Sequence, residues 1–156
     1  MEDLTEWLIN RFDSIDYEEK CKETKRDDIM KAMKYGKDRK CEILDTGWCE
    51  GFLYYILNLG THPTAYIRIP KEHKYYKEEN IYLDVHGGIT FSNMGICVKD
   101  VILEGYWIGW DYGHFGDYAG YEEMYPKEFR TGGKKWTTEE IKEEVIAACK
   151  QLKEME

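Results

Sequence analysis

Two stretches place side chains that can do chemistry at short spacing. They are "DVHGGITFS", Asp84–Ser92, and "GYWIGWDYGHFGDY", Gly105–Tyr118, which together hold two histidines, three aspartates and six glycines. A histidine beside an aspartate is an oriented acid or base, tunable near neutral pH. Histidines and aspartates together also hold divalent metals, but His73, His86, His114 and the aspartates show no tight ligand spacing, so no metal is expected. Gly87 and Gly88 permit positive φ and a close approach of backbone to a ligand. Trp107, Trp110 and Tyr112 offer flat faces for a heterocycle whose phosphates would sit on backbone amides. The candidate ligand-binding set is therefore His73, Asp84, His86, Gly87, Gly88, Thr90, Trp107, Trp110, Asp111, Tyr112, His114 and Asp117. The same residues also fit a plainer role, as two turns that close a core.

Positioning these residues requires a scaffold. In "IYLDVH", 81–86, Ile81, Leu83 and Val85 alternate with Tyr82, Asp84 and His86, which predicts a strand with Asp84 and His86 on one face. "GYWIGWD", 105–111, reads as another strand, with Trp107, Gly109 and Asp111 on a common face. If the two pair, both glycine loops open at one sheet edge and His86 meets His114. "CEIL" (41–44), "GFLYYILNL" (51–59, central in character) and "TAYIRI" (64–69, stopped by Pro70) supply further strands. A loop follows over 112–135.

Helices flank this β region. Leu4, Leu8, Phe12 and Ile15 make one apolar stripe, and Asp16 opens a charged helix over Tyr17–Tyr35 that ends near Gly36. At the other end Thr137 and Glu140 form a capping box, Trp136 and Ile141 occupy the staple positions, and Ile141, Val145, Ala148, Cys149, Leu152 and Met155 form the buried stripe. The expectation is one α+β domain over 1–156: a helical extension over 1–36, a mostly antiparallel sheet with the site over 40–118, and a last helix over 136–156, with helices packed on one face.

Composition narrows the function classes. A net charge of −9 sets the average field against a long nucleic acid. No apolar run reaches the length of a membrane span, and the acidic, amphipathic start is no secretory signal. Five cysteines without a C-x-x-C read as reduced thiols, which suits a cytoplasmic protein. There is no G-x-S-x-G, H-E-x-x-H, Walker A or G-x-G-x-x-G motif, and "TGGKKWT" (131–137) is too short for a phosphate loop.

About half of the chain resembles a group of small uncharacterised proteins of phages and mobile elements. The likeness rests on P-x-x-H (Pro70 to His73), V-H-G-G-[LI]-T-[YF]-S (Val85 to Ser92), W-I-G-[FW]-D-x-x-H-x-G-D (Trp107 to Asp117) and the Trp/Thr-capped helix. Trp110 stands where the group often has Phe, and Tyr112-Gly113 where it often has Cys-Ala. The resemblance implies a mobile-element origin and, by association, a role against host defence in the host cell cytoplasm.

Three functions follow as expectations. The leading one is a binding protein, without cofactor, that sequesters a small nucleotide-like or phosphate-bearing ligand. In it His86 and His114 donate to phosphate or ribose, the aspartates orient them, an aromatic ring stacks on the base, and a homodimer closes over the ligand. The second is a hydrolase of a phosphodiester or related bond, with His86, His114 and Asp117 as its catalytic group. The third is an acidic protein that binds a host defence protein directly through its carboxylate-rich helices.

Overall fold

A computed structural model describes residues 41–60, 62–118 and 132–155. The helices expected over 4–35 lie outside the described residues. Within them the chain forms β1 (Glu42–Cys49), β2 (Phe52–Asn58), β3 (Pro63–Ile69), β4 (Phe91–Val98), β5 (Val101–Asp111) and α1 (Thr138–Glu154). The strands make one antiparallel sheet in the order β1-β2-β3-β5-β4, with α1 packed on one face. This is the α+β arrangement that the alternation of strands and a terminal amphipathic helix predicts.

The hairpins β1–β2 and β4–β5 turn through Glu50-Gly51 and Lys99-Asp100, all four with positive φ. That is the type I′ geometry, whose twist matches the strands it joins. Strand alternation sorts the two faces. Ile56, Ala65, Ile67, Ile69, Ile108 and Trp110 turn towards Ile141, Val145, Ala148, Cys149 and Leu152 of α1. Leu57, Tyr66, Ile96, Val98 and Trp107 cluster on the opposite face. The capping box on α1 forms as its sequence predicts, with Thr137 Oγ1 accepting from Glu140 N. The expected stripe is buried from Ile141 to Leu152, with Met155 packed against its edge.

Two strand expectations change. Residues 81–86 pair with no strand; the chain bends at Val85, whose N–H donates to Leu83 O, and turns at His86-Gly87. Side chains of α1 bond the backbone of Asp84 and His86 instead: Gln151 accepts from Asp84 N at 2.9 Å and donates to Asp84 O, and Glu144 Oε1 accepts from His86 N at 2.7 Å. The alternation still sets which side chains go inward, Leu83 being buried and Tyr82 and Asp84 exposed. The other change is β4, which sequence periodicity misses. Its alternation is broken at Gly95, where a bulge shifts the register between Met94 and Ile96.

Candidate functional site

The two glycine-rich stretches meet at Asp117; 81–86 does not pair with β5, and the pairing between the stretches begins only at Thr90–Ser92. β5 ends at Asp111, whose Oδ1 accepts from Gly113 N and turns the chain. The loop then brings Asp117 N to His114 O and Asp117 Oδ2 to His114 N. Residues 132–134 run alongside, with Tyr118 N donating to Lys134 O and Lys134 N to Gly116 O. Gly133 allows this, since a Cβ there would lie 2.3 Å from Asp117 O. Trp136 thereby reaches Asp117, and its Nε1 donates to Oδ1 at 2.8 Å.

His86 completes the arrangement. Its Nε2 lies 2.6 Å from Asp117 Oδ2. The imidazole stacks on Tyr112 at 5.0 Å with the ring planes 4° apart, and Trp136 covers it at 4.8 Å. Asp117 thus takes hydrogen bonds from His86, Trp136 and the His114 amide while only 6% exposed. Burial raises its carboxyl pKa, and the three donors, His86 first, outweigh burial and hold it below the usual aspartate range. A carboxylate at Nε2 fixes the ring so that, in the neutral imidazole, Nε2 carries the proton and Nδ1 the lone pair. Nδ1 has no partner among the described residues, and the His86 side chain is 24% exposed.

His86 helps line an open groove of about 570 Å³, together with Asp84, Val85, Trp136, Glu140, Glu143, Glu144 and Ala147. Its charged lining is entirely acidic. The nearby Lys134 Nζ is engaged, 2.6 Å from Glu140 Oε2 and 3.9 Å from the centre of the Trp136 ring. That lysine, with the Thr137 backbone, holds the Glu140 carboxyl below its ordinary range.

The remaining candidates separate. Tyr112 supports His86 from beneath but is fully buried, its hydroxyl accepting from Trp110 Nε1 and donating to Glu144 Oε1. Burial keeps this phenol neutral far above its usual pKa. Trp110 is 1% exposed, and Trp107, also buried, lies on the opposite sheet face. None of the three rings offers a free face to a ligand in the groove. His114 sits beside His86, ring centres 5.6 Å apart, with Nε2 3.3 Å from Asp111 Oδ1 and turned inwards over Gly87. A Cβ at Gly87 would lie 2.3 Å from that nitrogen, and Gly87 has φ +71°. Close approach within the chain therefore accounts for this glycine. Gly88 has open space where a side chain would stand.

Thr90 is exposed and its N–H begins the β4–β5 pairing by donating to Gly109 O. His73 lies away from the groove. It is buried against the C-terminal turn of α1, with Nε2 donating to Leu152 O at 2.8 Å and Nδ1 accepting from Tyr75 N. Sequence reasoning passes over Trp136, Glu140, Glu143 and Glu144 as groove residues. The last three follow helical spacing beside the buried stripe of α1, which is the signal that a helix edge flanks the site. Among the described residues no cluster of three or more histidine, cysteine or acidic side chains is suited to a metal, and no helix is long and apolar enough to cross a membrane. No protein-family model, curated protein or solved structure matches the chain.

Proposed function

We propose that the protein captures a small ligand in the groove between the 84–88 turn and α1. The observation that carries this reading is the fixed imidazole of a groove-lining residue: Asp117 holds His86 Nε2 at 2.6 Å, and Nδ1 has no partner among the described residues. Rigid support behind one open polar atom is how a binding site lowers the cost of ordering its ligand. The lining argues about charge. Asp84, Glu140, Glu143 and Glu144 repel a bare phosphate and favour a ligand rich in hydrogen-bond donors or positively charged. A nucleoside-like amino edge or an amine meets this requirement better than a phosphate group does. The motif likeness to phage and mobile-element proteins fits capture of a host signalling compound.

The test is to mix the purified chain with nucleosides, cyclic nucleotides and polyamines, and to analyse each solution by chromatography before and after heat denaturation. Depletion followed by intact release, lost in His86→Ala, is the expected result. No depletion of any compound ends this reading. A second reading, hydrolysis, draws on the same His86–Asp117 pair, because an imidazole so oriented can move a proton at Nδ1. A new product on heating, absent from His86→Ala, would establish it, and turnover that survives His86→Ala would eliminate it.

A further inference from the structure

The sheet face away from α1 carries a second cluster that the groove does not use. Register places Trp48 opposite Leu53 and Arg68 opposite Trp107. Arg68 is the only arginine among the described residues. Its guanidinium lies 5.5 Å from the Trp48 ring centre and 6.0 Å from that of Trp107. The Trp107 ring is fixed by its Nε1, which donates to Leu103 O and Glu104 O. Gly105 makes room for the arginine stem, since a Cβ there would lie 2.7 Å from Arg68 Cδ.

In a chain with 31 acidic residues, this guanidinium has no carboxylate partner and no hydrogen-bond acceptor among the described residues. Contact with aromatic rings and hydrogen bonding use different parts of the group. Rings take the faces of the planar cation, while its five N–H donors point outwards in the plane. Arg68 thus lies near two indole rings, and its N–H donors are unspent among the described residues. Beside it Trp48 is 66% exposed, which is unusual for a large aromatic side chain.

We propose that Arg68 and Trp48 form a second ligand site, distinct from the groove, for a small anion carrying a flat ring. The phosphate or carboxylate takes the guanidinium edge with two parallel hydrogen bonds. The ring stacks on the open face of Trp48. Trp107, buried beneath, holds the arginine and does not touch the ligand. Where the acidic groove repels an anion, this site attracts one, so the two take ligands of opposite charge.

The experiment follows the Trp48 indole and Arg68 Nε–H signals of the full chain by ¹H–¹⁵N correlation NMR. Adenosine 5′-monophosphate, benzoate, adenosine and inorganic phosphate are added separately. Saturable shifts of both signals with the two ring-bearing anions are expected. Adenosine and phosphate alone should bind at least about tenfold more weakly, because each offers one of the two contacts. Arg68→Lys, which keeps the charge and loses the planar fork, should weaken binding about tenfold. Trp48→Ala alters an exposed side chain and should do likewise without unfolding the chain, while His86→Ala should leave this binding unchanged. Absence of saturable shifts up to about 10 mM ligand would overturn the proposal. So would binding that Trp48→Ala and Arg68→Lys leave untouched.

Discussion

Asp117 is the residue on which the groove turns. Its carboxyl pKa is depressed in the folded chain, so the unfolded state binds the proton more readily. The stabilisation is therefore complete above the ordinary aspartate pKa of about 4 and is lost as pH falls through the lower, folded value. Denaturant titrations from pH 7 to pH 3 should show wild type losing more stability with acid than Asp117→Asn does. At pH 7 the same variant should be about 1–3 kcal/mol less stable, because three donors lose a charged acceptor. Gly87→Ala tests the packing of His114. The added Cβ both clashes with the imidazole and sits at φ +71°, so a loss of about 1–3 kcal/mol, with displaced His114 ring signals, is the expected NMR and denaturation result. At this scale the sequence was partly legible. The types and spacing of His86, His114 and Asp117 pointed to one site, whereas the burial of Trp107, Trp110 and Tyr112 was not visible. Aromatic residues in glycine-rich segments look available until the face each occupies is known.

At the scale of elements, the segment 81–86 explains what periodicity can and cannot tell. Alternation of Ile81, Leu83 and Val85 correctly reports an inward face, but it does not report the hydrogen-bond partner. Here Glu144 and Gln151 substitute for a neighbouring strand. They stand seven residues apart, two turns along the same side of α1. Gln151→Ala should therefore raise amide hydrogen exchange at Asp84 by the loss of one bond, about 1 kcal/mol of local protection, while leaving strand amides in β2 and β3 unchanged. Glu144→Ala should do the same at His86 and also loosen Tyr112, whose hydroxyl shares that carboxylate. α1 itself was readable throughout, because its cap, staple and stripe agree. β4 was not, because Gly95 interrupts the two-residue period on which strand recognition depends.

For the whole molecule, charge is the largest uncompensated quantity. A net charge of −9, with carboxylates gathered along the groove, repels itself in the folded state. Raising sodium chloride from about 0.02 M to 0.5 M shortens the screening length severalfold, so the denaturation midpoint should rise with salt. A midpoint that falls would mean that attractive pairs such as Lys134–Glu140 outweigh the repulsion. The dependence of the 81–86 segment on α1 also has a temporal side. A ribosome delivers the five strands before Thr138–Glu154. Until that helix emerges, the backbone beside His86 lacks its partners and Trp136 has only just arrived to meet Asp117. A nascent chain, or one cut short before Thr138, can form hairpins but cannot form the groove. Closure of the groove thus waits on α1, however well the sheet has already formed.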